Sequence, residues 1–220
     1  MLLLPFLNLK KMKKTQLILL AIIMVSVFSS SVFSQAFDDG TNLLSIGFGV
    51  PPSDRIEKDF NRKYYYGYNG NNVIYDYKFN NYGTGVLKFE HGLHKYFGLG
   101  LNLEYSGASA SYKSGLSPVV FERNIKNNVI AGYVRFNGHF PIGEKLDLYG
   151  GVGLGYRYSL YKISDSYTDA TLNKKQKETF FEFDYQVTIG ARFMVKDNIG
   201  LFIEAGLATT PAQIGIVFKF

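Results

Sequence analysis

The stretch FFEFDYQVTIGARFM, Phe180–Met194, alternates with period two. Phe181, Phe183, Tyr185, Val187, Ile189, Ala191 and Phe193 fall on one face. Phe180, Glu182, Asp184, Gln186, Thr188, Gly190, Arg192 and Met194 fall on the other. Successive side chains of a β-strand point to opposite sides of the sheet, so this run is a strand with one apolar face and one charged face. A helix would repeat its apolar residues every three to four positions, and no window beyond Phe37 does so convincingly.

The same alternation predicts eight strands, over 42–51, 83–94, 97–112, 128–140, 146–162, 179–195, 199–208 and 212–220. Their second faces carry Lys88, Glu90, Glu104, Arg135, Arg157, Glu182, Asp184, Arg192, Glu204 and Lys219, five acids and five bases. Each segment clears the roughly 9–11 residues that a tilted strand needs to cross a bilayer. The pattern predicts an all-β fold, an eight-stranded antiparallel up-and-down transmembrane barrel.

Two kinds of barrel share that alternation. A soluble one encloses its apolar face and wets the polar one, whereas a membrane barrel gives the apolar face to lipid. Three features favour the membrane. Gly47, Gly49, Gly98, Gly100, Gly151, Gly153, Gly155 and Gly190 lie on the polar face, where small residues suit a narrow, crowded lumen. Acids and bases balance there, so they can pair where an unpaired charge would be costly. The last strand also ends on an aromatic residue, Phe220.

The N-terminus reads as an address. Lys10, Lys11, Lys13 and Lys14 precede an apolar run from Leu17 to Phe28 and a small-residue zone ending at Ser34. This is the order of a secretory signal peptide, and the run falls short of the roughly 20 residues of a transmembrane helix. Residues 1–34 are therefore expected to be removed, with Met12 the more natural start and residues 35–220 forming the barrel domain. The leader holds four of the six excess positive charges of the 220-residue chain. What remains is nearly neutral, so charge makes no case for nucleic-acid binding. The absence of Cys excludes disulfides, thiolate metal sites and a cysteine nucleophile.

Connections between the expected strands alternate long and short: 52–82, 95–96, 113–127, 141–145, 163–178 and 196–198, with 209–211 a short exception. Outer-membrane barrels place long loops outside and short turns in the periplasm, beside both termini. The segment 52–82 contains seven Tyr, among them Tyr64, Tyr65, Tyr66 and Tyr68. Such a composition suits either an aromatic girdle or adaptable surface recognition.

The leader, the eight alternating strands, GGVGLGYRY at 150–158 and QIGIVFKF at 213–220 together resemble the small outer-membrane β-barrels of Gram-negative bacteria, the OmpA/OmpX-like or porin-family barrel domain. The resemblance implies outer-membrane lipid as the surroundings and insertion by the barrel-assembly machinery, which reads a terminal strand such as the one carrying Phe218 and Phe220. With Phe220 the last residue, the peptidoglycan-binding domain of full-length OmpA-like proteins is expected to be absent.

Chemistry is sparse. The glycines of 150–155 lack the G-x-G-x-x-G spacing and open no helix, so they form no phosphate loop. His91, His94 and His139 fall at the turn ends of their strands, without a sequence partner for acyl-transfer chemistry and without metal-ligand spacing. No catalytic residue, cofactor or metal is expected. Glu90, Glu104, Arg135, Arg157, Glu182, Asp184, Arg192 and Glu204 are expected to form a lumenal charge network, in which Glu104, Arg135, Arg157, Glu182 and Arg192 make buried ion pairs that close an interior just wide enough for side chains. The resulting expectation is a monomeric, non-enzymatic envelope protein whose surface loops are available for adhesion to an unidentified ligand. A narrow solute channel and a lipid-modifying enzyme remain as alternatives.

Overall fold

The computed structural model describes residues 36–50, 74–116, 119–167 and 170–220. The expected leader and Tyr64, Tyr65, Tyr66 and Tyr68 lie outside the described residues. The barrel strands are β1 (Asn42–Val50), β2 (Ile74–His94), β3 (Phe97–Leu116), β4 (Val119–Ile142), β5 (Leu146–Tyr167), β6 (Lys174–Lys196), β7 (Ile199–Leu207) and β8 (Ala212–Lys219). Each pairs antiparallel with its sequence neighbours, and β1 closes the ring against β8, Ile46 opposite Ile216.

The alternation sets which side is which. Phe181, Phe183, Tyr185, Val187, Ile189 and Phe193 are exposed on the outside, while Gln186, Thr188, Arg192 and Met194 are buried within. The row Leu99, Leu101, Leu103 and Tyr105 of β3 is likewise outside, and Asn102 and Glu104 are inside. An apolar exterior around a polar interior is the inverse of a soluble barrel, and it fits a hydrocarbon surrounding.

Strands β2 to β6 run further than the sequence pattern indicated. The spans 113–127 and 163–178, expected as long loops, are largely sheet: β3 continues to Leu116, β4 begins at Val119, β5 continues to Tyr167 and β6 begins at Lys174. The reason is a switch of polarity without a break in the backbone. In β4 the exposed apolar residues Ile130, Val134 and Phe136 occupy even positions, whereas buried Phe121 and Ile125 occupy odd ones. In β5, Leu154, Tyr156 and Tyr158 face out, whereas Tyr161 and Ile163 face in. Beyond the lipid, water wets the outer surface, so the apolar side chains turn inward. Ala108, Ala110, Tyr112, Ile125, Tyr161 and Ile163 form a second core there, with Tyr77, Phe79 and Phe180 packed against it.

Two irregularities in β2 accommodate this extension. Between Asn81 and Thr84 the strand carries one residue more than β3 opposite, and Gly83 takes φ +77°. That left-handed conformation is open to glycine at little cost. A second register shift, between Tyr75 and Lys78, holds Asp76 at φ 56° and lets it pair with Lys113 Nζ at 3.0 Å. Because β1, β7 and β8 have only 9, 9 and 8 residues, the extension is a one-sided wall of β2 to β6. The opposite end of the barrel has short turns, at 95–96, 143–145 and 197–198.

Candidate functional site: the lumen

The inward positions of the eight strands stack into layers along the barrel axis. At the short-turn end, residues before β1 fold back into the mouth. Phe37 is fully buried with Ala36, Leu43, Met194 and Val217. The backbone holds it there: Gly40 N–H donates to the Gly92 carbonyl at 3.0 Å, and Gly92 N–H to the Thr41 carbonyl at 2.7 Å. Asp38 N–H donates to Thr41 Oγ1 at 3.1 Å, which closes the bend.

Above Phe37 lies a layer of five polar side chains. Arg192 on β6 pairs with Glu90 on β2, the strand diametrically opposite in the ring, and donates to Asp147 Oδ2 at 3.1 Å. His139 sits between the same two acids, Nδ1 2.9 Å from Asp147 Oδ2 and Nε2 2.8 Å from Glu90 Oε1. Only the doubly protonated ring donates from both nitrogens. Asn137 Nδ2 donates to Glu90 Oε1 at 2.6 Å, and the Arg192 guanidinium lies 4.1 Å from the Tyr149 ring centroid.

The next layer is built on Glu204. Lys88 Nζ lies 2.9 Å from its Oε1, and Arg135 donates to both oxygens, at 2.8 and 3.2 Å. Arg135 also donates to Thr188 Oγ1 at 2.8 Å. Glu104 comes next, and its partners are neutral. Asn102 Nδ2 at 2.9 Å, Gln186 Nε2 at 3.2 Å and Thr210 Oγ1 at 2.7 Å donate to its carboxylate. Asp184, toward the end that carries the β2–β6 extension, accepts from Tyr133 Oη at 2.8 Å and Thr209 Oγ1 at 2.6 Å.

Two expectations from the sequence therefore need correction. Glu104 makes no ion pair among the described residues; amides and a hydroxyl satisfy it instead. Arg157 and Glu182 do pair, at 2.6 Å, but at a wet rim, with side chains 32% and 46% exposed. An exposed pair of this kind contributes about 0–1 kcal/mol.

Sequence reasoning named only charged residues for the lumenal network and so left out its neutral half. Asn102, Asn137, Gln186, Thr188, Thr210 and Gln213 are all buried there. Their signal was available, because Asn102 alternates with Leu101 and Leu103 exactly as Glu104 does. Asp147 and His139 were likewise at inward positions, beside outward Leu148 and Phe140. Phe37 left no such trace, since it precedes every strand. Among the described residues, no group of three His, Asp or Glu is arranged to hold a metal ion.

A closed ring of eight antiparallel strands, apolar outside and hydrogen-bonded within, defines a β-barrel membrane protein. The chain belongs to the outer membrane protein beta-barrel domain family, whose model matches residues 20–212. The family places the protein in the outer membrane, so the short-turn end is periplasmic and the β2–β6 wall is external.

Among solved structures, the chain is similar to Ail, the attachment invasion locus protein of Yersinia pestis, in a complex with the heparin analogue sucrose octasulfate. That match has 13% identity and a TM-score of 0.40, covering 83% of this chain and 99% of that one. It is also similar to OprG of Pseudomonas aeruginosa, with 12% identity and a TM-score of 0.44, covering 86% and 99%. The N-terminal barrel domain of OprF from the same organism matches with 13% identity and a TM-score of 0.33, covering 83% and 98%. No curated protein matches the chain.

Proposed function

We propose that this protein is a closed, non-enzymatic structural barrel of the outer membrane, with its external wall available for adhesion or binding. The observation that carries this reading is the ion pair between Glu90 and Arg192, which joins diametrically opposite strands across the lumen. Eight strands leave an interior that side chains fill. Here the Lys88–Glu204–Arg135 layer, the Glu90–Arg192–Asp147–His139 layer and Phe37 follow one another down the axis. Opening a path would strip several charges of their partners at once, which is costly in a low-dielectric interior.

The same reading takes the chain as a monomer, inserted by the barrel-assembly machinery through the strand that carries Phe218 and precedes Phe220. Recording from the purified protein in planar bilayers tests the closed lumen. Silence, or rare brief openings, is the expected result. A steady large conductance would establish the channel instead.

A further inference from the structure

The outer face of the external wall carries an unbroken row of cations. Lys126 on β4 stands directly opposite Lys162 on β5, which stands directly opposite Lys177 on β6. All three are exposed. Neighbouring strands are about 4.8 Å apart, so the row spans roughly 10 Å. One step further from the membrane, Lys78, Ser111, Asn124, Ser164 and Lys175 form the next row across the five strands. Neither row contains an acid. Asp76 and Glu122 lie beyond both and are engaged, Asp76 with Lys113 and Glu122 with Asn124.

Like charges directly across a strand pair destabilise a sheet. None of the three central lysines forms an ion pair among the described residues. The fold therefore concentrates positive charge at this level without neutralising it. Depth indicates what does so. Tyr105, Ile130, Tyr158 and Phe181 are consecutive cross-strand partners and form the uppermost row of exposed apolar side chains that runs unbroken from β3 to β6. Aromatic girdles of this kind mark the edge of the hydrocarbon. The lysine row lies four residues beyond, which for tilted strands is on the order of 10 Å. Lysine stems reach back along an apolar surface while keeping the charge in water, so the ammonium groups sit at headgroup height.

We propose that Lys126, Lys162 and Lys177 form a docking site for a multiply phosphorylated glycolipid headgroup of the outer leaflet. Each phosphate monoester carries a charge of about −1.5 to −2 near neutral pH, so two of them on one headgroup match the charge of a row of three lysines. The site is independent of whether the lumen conducts.

The test uses the full-length protein in phosphatidylcholine vesicles, alone or doped with bis-phosphorylated lipid A or with phosphatidylglycerol, heated while folded and unfolded forms are separated by gel mobility. Lipid A is expected to raise the melting midpoint of the natural protein by several degrees, less so at high salt. Phosphatidylglycerol is expected to raise it much less. The combined Lys126→Gln, Lys162→Gln and Lys177→Gln variant is expected to lose the shift while melting no lower than the natural protein in plain phosphatidylcholine. Lys95→Gln with Lys145→Gln, at the periplasmic turns, is expected to keep it. The proposal is overturned if the triple variant retains the lipid A shift, if phosphatidylglycerol matches lipid A, or if the triple variant is destabilised in plain phosphatidylcholine.

Discussion

The ring of Phe37 lies flat against the imidazole of His139, centroids 3.5 Å apart and planes 9° from parallel. This contact ties the segment that enters the barrel to the ionic layer that crosses it. One apolar ring thus covers the periplasmic side of a layer in which His139, Glu90, Asp147 and Arg192 are joined by hydrogen bonds.

Truncating that ring exposes the layer to water. Phe37→Ala is expected to lower stability by about 3 kcal/mol, the usual loss for a buried Phe. Urea unfolding in vesicles measures it. An unchanged midpoint would show that the entry segment contributes nothing to the barrel.

Glu204 holds two cations, Lys88 and Arg135, so removing its charge strands both. Glu204→Gln is expected to cost about 3–5 kcal/mol, because it leaves uncompensated buried charges. Replacing all three residues together, as Lys88→Met, Arg135→Met and Glu204→Leu, is expected to recover most of that loss in the same assay. If the triple variant is no better than the single one, the cost does not come from stranded charge.

Glycines on the two faces of the barrel are predicted to differ. A methyl at lumenal Gly47 would lie 2.7 Å from both the Ile214 carbonyl oxygen and Phe202 Cζ. Gly47→Val is therefore expected to destabilise by about 1–3 kcal/mol through overpacking. At Gly138 the nearest atom to such a methyl is the Gly150 carbonyl oxygen, 3.9 Å away. Gly138→Ala is expected to be neutral or to stabilise by up to about 0.5 kcal/mol, since glycine weakens a strand interior. Paired unfolding curves would show the contrast, and equal losses would refute it.

The external wall has its own anchor. Arg123 donates two bonds of 2.6 Å to Asp165, which is buried above the membrane. Those bonds raise the pKa of Arg123 above its ordinary value, so the guanidinium stays charged. Arg123→Ala is expected to weaken the wall by about 2 kcal/mol, because it strips a buried carboxylate of its donors. Hydrogen exchange should then accelerate in the outer part of β4, near Ile125, and remain slow near Val134. Uniform acceleration along β4 would mean that wall and barrel melt as one unit.

Alternation alone carried the reading of this chain as far as the lipid boundary. Within the bilayer one rule operates: apolar side chains out, polar side chains in. Phe180–Met194 therefore states its strand, its period and its two faces without help from any other segment. Glu90, Arg135, Arg192 and Glu204 were legible as inward residues for the same reason. Past Tyr105, Ile130 and Tyr158 the solvent changes from lipid to water and the rule reverses, so a reading that follows one face stops short of Leu116, Val119 and Tyr167, where the strands end. Lys126 and Lys177 were hidden in what read as loops, and Lys162 was the last residue of an expected strand, so the row they form was not visible.

The amino-acid sequence by itself determined the strand number, the side each residue faces within the membrane and the balance of charge inside, because each depends only on a period of two along the chain. Which acid meets which base was decided by the closed sheet. Glu90 and Arg192 are 102 positions apart in the chain, and only the register of the strands between them brings their charged ends together. Ring closure likewise left Glu104 to amides and sent Arg157 and Glu182 to the rim, because partner choice depends on height and distance across a cylinder, which local periodicity does not encode.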